Sequence, residues 1–513
     1  MLMVIMFVMV MILLVTLSML FLILLSNFEM VIISVKIFNV GFFGDLEIML
    51  TVWTLLFLFM VLIISSSVAM FSFSYMSGIT VSNFVLLYLS FIFSMVWLII
   101  NNSFYWMMLG WDGLGVVSFL LIVFYMNHES INNGLFTLFQ NRIGDLFFVL
   151  FIVGVMEMSM VGSVIVKYGI LFLILGGCVK SAQFPFNSWL LAAMSAPTPI
   201  SALVHSSTLV VAGVFILLQF SYCLVDMLDV LKYISLLTLL LSTTGLLIEL
   251  DMKKLIAYST LSHVSLMMFM LSLKLFKVVY FHLNIHAMFK STMFMCFGFV
   301  MLASFHGQDK RLVSLNNLNP LLKMLYYFSS LCLMGLPFLS GFFSKDFIIE
   351  KTMEFNQEFF LVVLLLLFLG VSVYYGLKLL SLVNVFYSYT LVEKSYLGMF
   401  GVLCMMAVMV GVINLYLSLM LTLTLEIFSF KMMIYLFVLG FFILSVMSQF
   451  TFKFNSYDKI KSFKEVWMID VYKLDQYVYW SMSLIVGYMS VLSNIKLILL
   501  MNWWVLVFLL VLF

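Results

Sequence analysis

The chain has 513 residues, of which 65% are hydrophobic and 9% charged, with a formal net charge of +2. A soluble domain carries roughly a quarter charged residues, so water is excluded as the main solvent. No basic run is present, which excludes nucleic acid as a partner and leaves no polybasic lipid-binding tail.

About fifteen apolar stretches are long enough to cross a bilayer, which takes about 20 residues each. Lipid offers the backbone no hydrogen-bond partner, and runs this continuous do not alternate as barrel strands do, so the spans are expected to be helices. Met1 to Leu25 has no basic flank and no small-residue cleavage site and reads as a retained span. Glu29 to Glu47 carries Val-Ile-Ile-Ser-Val-Lys-Ile and a Gly-Phe-Phe-Gly turn, which predicts a short surface hairpin. Further spans are expected at 50–71, 82–100, 103–125, 131–155, 168–190, 198–220, 231–249, 255–274, 278–303, 323–345, 357–382, 398–424, 432–450 and 495–513. The segment from Ser456 to about Tyr488 mixes charges with Trp467, Tyr472, Tyr477, Tyr479 and Trp480, the composition of an amphipathic helix lying along a membrane. Cys178, Cys223, Cys296, Cys332 and Cys404 are scattered through apolar segments without a C-x-x-C pair, which argues against iron–sulfur clusters, structural zinc and a disulfide framework.

Four of the five prolines flank the most polar intramembrane stretches: Pro185, Pro197, Pro199 and Pro337. Two interrupted helices are predicted there, at Lys180 to Pro185 and at Gly335 to Lys345. Broken helices inside a membrane are tolerated only where they line a polar cavity, and such a pair marks a transporter's ion site.

Ionisable side chains inside a span cost about 2.5–3.5 kcal/mol each on the insertion scale, so each needs a reason. Asp112 stands mid-span in Gly110-Trp-Asp-Gly-Leu-Gly115, and Lys180 sits equally deep in Gly176-Gly-Cys-Val-Lys-Ser-Ala-Gln183. A carboxylate moving toward or away from a buried lysine would load or unload its proton. Arg142 and Asp145, three residues apart, can pair on one helix face, either as a structural tie between helices or as part of the same path. His205 follows Ser201-Ala-Leu-Val and precedes hydroxyls able to hold water; it is either a relay or a satisfied core histidine. His282, His286 and Lys290 recur every fourth residue on one helix face, about 6 Å apart. Zinc is disfavoured there, because the glutamate of His-Glu-x-x-His is missing and no third ligand is evident, so a proton relay is the better reading. Lys345 and Asp346 follow the second predicted break. Asp251, Lys253 and Lys254 join two spans, where a membrane-edge loop is expected. No phosphate loop, dinucleotide fingerprint or nucleophile triad is present, so no cofactor is expected on this chain.

Seven motifs in order now carry a resemblance: Gly110 to Gly115, Asn141-Arg-Ile-Gly-Asp145, Lys180-Ser-Ala-Gln183, Ala196-Pro-Thr-Pro-Ile-Ser-Ala-Leu-Val-His205, Asp251-Met-Lys-Lys-Leu-Ile-Ala-Tyr-Ser-Thr260, His282-Leu-Asn-Ile-His-Ala-Met-Phe-Lys290 and Gly341-Phe-Phe-Ser-Lys-Asp346. Together they resemble the antiporter-like membrane subunits of respiratory complex I, NADH:ubiquinone oxidoreductase. The resemblance implies an all-α polytopic membrane protein of about 15 transmembrane helices, with two interrupted helices in inverted repeats and a short C-terminal lateral helix. It implies a layout of N-terminal helices and hairpin over 1–100, a proton-translocating core over 101–390, further spans over 391–455, the lateral helix over 456–494 and a last span over 495–513. It further implies that Asp112 pairs with Lys180, that His205 joins two half-channels, that His282 and His286 continue a hydrophilic axis, and that Lys345 with Asp346 serves the far side. The family usually has glutamate at the Asp112 position, so here the carboxylate reaches one methylene less far. The implied setting is the mitochondrial inner membrane. The implied partners are the other membrane-arm subunits, especially the antiporter-like chain 4, with lipids such as cardiolipin. NADH, FMN, iron–sulfur clusters and ubiquinone would sit in other subunits. The alternative is a subunit of an Mrp-type cation/proton antiporter, which shares many of these motifs.

Overall fold

The computed structural model describes residues 30–35, 46–76, 81–156, 163–221, 224–304, 307–309, 320–336 and 359–380, with 339, 341–342, 344–345, 347–348, 352 and 440. The chain divides into units Met1–Met447 and Ser448–Phe513, and every described residue belongs to the first. The spans expected before residue 30 and beyond 382, the lateral segment, Pro337 and Asp346 lie outside the described residues.

The predicted hairpin is present. β1 (Met30–Val35) pairs antiparallel with β2 (Leu46–Thr51), Met30 opposite Thr51 and Val35 opposite Leu46. Thr51 then caps α1 (Val52–Tyr75): its hydroxyl accepts from the Thr54 amide, while the Thr54 hydroxyl accepts from the Thr51 amide. This reciprocal cap turns a strand into a membrane helix and pairs two of the backbone donors that a helix start leaves open.

The helices that follow are α2 (Val81–Ile100), α3 (Phe104–Ile122), α4 (His128–Met156), α5 (Ser163–Lys180) and the short α6 (Ser188–Ala192). Then come α7 (Thr198–Gln219), α8 (Leu228–Ile248), α9 (Met252–Ser272), α10 (Phe276–Ala303), α11 (Pro320–Met334) and α12 (Phe359–Leu380). Among the described residues, eight helices are long and apolar enough to cross a membrane. Their hydroxyls are accommodated locally: Ser65, Ser94, Ser118, Ser235 and Ser262 each donate to the carbonyl three residues earlier. A serine that satisfies its own hydroxyl this way is cheap to hold away from water.

Burial sorts the helices. The membrane-length part of α7 is 100% buried and those of α9 and α10 94%, against 44% for α2, α3 and α4. The bundle centre is therefore α7, α9 and α10 together with α1, which is 89% buried, and the apolar outer faces of α2–α4 and α8 meet lipid or a neighbour. Helix α7 approaches α5 closely because Gly213 has no side chain; a Cβ there would sit 2.7 Å from the Gly177 carbonyl.

Both predicted breaks occur, with one difference of cause. Helix α5 stops at Lys180, before Pro185, because Ala182 adopts a left-handed conformation (φ 55°) and the Gln183 amide donates back to the Cys178 carbonyl at 2.8 Å. Helix α11 stops at Met334, where Gly335 takes φ 77°. In the middle of α7, Ser201–Thr208 widens into a π-helical stretch, with the Leu209 amide reaching the Val204 carbonyl.

Candidate functional site

The Gly110-to-Gly115 motif builds the first station. Trp111 points inward from α3, and its carbonyl accepts from the Lys180 ammonium at 3.2 Å. The same ammonium lies 4.9 Å from the Trp111 ring centroid. Gly115, one turn on, leaves the space the ammonium occupies, since a Cβ there would lie 3.3 Å from Nζ. Lys180 is fully buried at the last position of α5.

The expected Asp112–Lys180 pair is not formed. Consecutive helical residues diverge by about 100°, so once Trp111 faces Lys180, Asp112 must face elsewhere. It faces α4, where Arg142 Nη1 lies 3.5 Å from its carboxylate and 3.1 Å from that of Asp145. One guanidinium thus joins both carboxylates.

The second station is the π-helical stretch of α7. His205 is fully buried, and neither ring nitrogen has a partner within the protein. Its neighbouring hydroxyls do not serve it: Ser206 donates to the Ala202 carbonyl, and Ser207 and Thr208 donate to the Leu203 carbonyl. A buried imidazole with two unsatisfied nitrogens calls for water. Trp189, whose indole donates to the Val179 carbonyl at the end of α5, packs edge-on against it.

Lys253 corrects the expected membrane-edge loop. Asp251 and Lys254 do form an exposed ion pair at 3.3 Å, but Lys253 turns inward from the first turn of α9 and is 3% exposed. Its ammonium donates to the carbonyls of Ala196 (2.7 Å) and Met194 (3.3 Å), just ahead of α7.

The third station lies between α9 and α10. The predicted face of His282, His286 and Lys290 is real, and it turns toward α9. Lys290 donates to the Ser259 hydroxyl at 2.5 Å. His282 Nε2 lies 3.2 Å from Nδ1 of His263, and its own Nδ1 is 2.7 Å from the Ser344 hydroxyl. The motifs pass over His263. The available signal was an imidazole midway along an apolar span, which the cost of burying polar groups marks as readily as the others.

The fourth station is Lys345, which donates to the carbonyls of Leu333 (2.7 Å) and Met334 (3.2 Å) at the end of α11 and to the Ser372 hydroxyl (3.3 Å). A cation there complements the negative end of the helix. Lys378 of α12, absent from every motif, does the same for α8 through the carbonyls of Leu246, Leu247 and Glu249. Among the described residues, Lys180, Lys253, Lys290 and Lys345 have no carboxylate in ion-pair contact, and no three His, Cys, Asp or Glu side chains converge to hold a metal.

Buried cations held by neutral acceptors beside broken helices, within a bundle of membrane-length helices, define a multi-pass membrane protein with a polar interior. Residues 101–370 match the family described as NADH:quinone oxidoreductase/Mrp antiporter, TM, and the chain belongs to that family. It is 41% identical over 351 residues to NADH-ubiquinone oxidoreductase chain 5 of Anopheles gambiae, covering 66% of this chain and 60% of that protein. With chain 5 of Locusta migratoria it shares 40% identity over 376 residues, covering 70% of this chain and 66% of that protein. The chain therefore spans 60% of the mosquito relative's length. A chain in the solved Mrp complex of a Dietzia species is 19% identical with a TM-score of 0.70, covering 92% of this chain and 59% of that one, a likeness of fold.

Proposed function

We propose that this chain is a proton-translocating membrane-arm subunit of NADH:ubiquinone oxidoreductase in the mitochondrial inner membrane. The observation that carries the reading is the series of buried ammonium and imidazole groups from Lys180 through His205, Lys253, Lys290, His286 and His282 to Lys345. None of its lysines is locked by a described counter-carboxylate. A proton on Lys180 is free to respond to the Asp112–Arg142–Asp145 cluster, whose charges can be rearranged by small side-chain movements.

On this reading the chain carries proton translocation and not the redox chemistry. Electron transfer through NADH, FMN, iron–sulfur clusters and ubiquinone belongs to other subunits and drives it. The complete chain would have about 15 transmembrane helices, its two interrupted helices in inverted repeats, with a lateral helix near the C-terminus. Asp346 would act beside Lys345. Side-chain exposures of 35% for Asp112 and 45% for Arg142 on membrane helices call for a covering protein surface, since lipid cannot solvate an ion pair. The antiporter-like chain 4 is the partner we assign to that face, with cardiolipin filling apolar margins.

The deciding experiment replaces Lys180 with Met in the assembled enzyme. Proton pumping per electron falls if the reading holds; unchanged pumping sinks it. The fold likeness to an Mrp complex keeps a second reading, a cation/proton antiporter subunit without redox drive, and sodium-linked transport insensitive to quinone-site inhibitors would favour it.

A further inference from the structure

His263 lies on α9, outside every motif that led to the site, yet its ring sits between two of the site's histidines. Its centroid is 5.3 Å from that of His282 and 5.4 Å from that of His286. His282 and His286 are one turn apart on α10, about 6 Å along the axis. A proton moves directly between groups only at hydrogen-bond distance, or across one water. The ladder on α10 therefore has a gap, and His263 fills it from the facing helix.

We propose that His263 carries the proton between His286 and His282, so that the path leaves α10, crosses to α9 and returns. The proposal rests on the proton-translocating reading above and adds a residue to it. Three observations support it. His263 Nδ1 and His282 Nε2 are 3.2 Å apart, and His282 Nδ1 is 2.7 Å from the Ser344 hydroxyl, so two imidazoles and a hydroxyl form one hydrogen-bonded line. His263 Nε2 and both nitrogens of His286 are buried without a protein partner, which opens the other end of the line to water. Lys290 flanks the cluster on one side, and Lys345 follows Ser344 on the other, so the line runs from one cation station to the next.

The heavy-atom positions admit both directions of the line. In one, Ser344 donates to His282 Nδ1 and His282 Nε2–H donates to His263 Nδ1. In the other, His263 Nδ1–H donates to His282 Nε2 and His282 Nδ1–H donates to Ser344. Conversion of the second into the first moves one proton. A water on the His286 side protonates His263 Nε2, and the Nδ1–H of His263 passes to His282 Nε2. The Nδ1–H of His282 then passes to the Ser344 oxygen, which releases its own proton to water on the Lys345 side. One proton enters, one leaves, and no electrons move. Phe368 packs edge-on against the His263 ring and holds it in place.

The test uses the assembled, membrane-embedded complex. His263→Gln keeps a hydrogen-bonding side chain that cannot take and release a proton at neutral pH; it is expected to slow proton translocation at least about fivefold, with normal assembly on native gels. His263→Gly leaves an imidazole-sized space, and added imidazole is expected to restore pumping where pyrrole, which cannot relay, does not. Pumping by His263→Gln within about twofold of the unsubstituted complex overturns the proposal. So does a loss in His263→Gly that imidazole leaves unchanged, because the ring then serves packing alone. Should His263→Gln assemble poorly, His263→Asn is compared per assembled complex. Lys180→Met, run in parallel, separates the two levels of the argument. If it stops pumping while His263→Gln does not, only the role of His263 fails; if neither affects pumping, the proton-translocating reading fails with it.

Discussion

Arg142 lies 3.5 Å from Asp112 on α3 and 3.1 Å from Asp145 on its own helix, so one guanidinium sets the spacing of two carboxylates near Lys180. Both contacts run to the one Nη1, at the end of a side chain longer than lysine's, so a lysine ammonium stops short of the point between the two carboxylates. Arg142→Lys is therefore expected to retain assembly but to lower coupled proton pumping by about threefold to tenfold, measured in vesicles; pumping at the unsubstituted rate would show that the double contact is dispensable.

Gly115 makes room for the Lys180 ammonium. In Gly115→Ala the new methyl would press on Nζ from 3.3 Å, shifting it from the Trp111 carbonyl. We expect normal amounts of complex with impaired pumping. Gly113→Ala, whose Cβ would meet the Ser94 side chain at 3.1 Å well away from Lys180, serves as control.

Gly213 is a packing position. Gly213→Ala places a methyl 2.7 Å from the Gly177 carbonyl, where backbone must yield. Overpacking of this kind costs about 1–3 kcal/mol, which should appear as lower thermal stability or poorer assembly of the subunit, not as a selective loss of pumping.

Lys345 closes the end of α11. Lys345→Met removes the donor from two buried carbonyls, at about 1–3 kcal/mol for each group left unpaired, and also removes a cation station. Both stability and pumping should fall. Ser372→Ala deletes the hydroxyl that accepts from Lys345 and itself donates to the Met334 and Leu369 carbonyls, and should harm assembly less than Lys345→Met; an equal or larger defect would mean that Ser372, and not Lys345, holds the end of α11.

Lys378 ties α12 to the end of α8 through three carbonyls. Lys378→Met is expected to loosen that contact, read as faster proteolysis in the segment joining α8 to α9, while Lys378→Arg, which keeps charge and donors, restores protection.

The spans that fall among the described residues, the hairpin, the two breaks and most of the buried ionisable groups could be read from the chain alone. A helix in lipid satisfies its backbone within itself, so its existence depends on its own run of apolar residues and on no distant contact. Burial of charge is likewise visible as composition, because a lysine or histidine inside such a run has no water to reach. What faces what could not be read. One helical step, about 100°, decided that Asp112 meets Arg142 and not Lys180, that Lys253 turns inward while Lys254 pairs with Asp251 outside, and that His263 reaches across from α9 to complete the α10 ladder. The stop at Lys180 ahead of Pro185 and the capping of α8 by Lys378 were also settled by tertiary structure. In an apolar span every face is hydrophobic, so no moment points to the neighbour. Rotation is set only when glycines such as Gly213 allow two helices to touch and the buried polar groups then find one another.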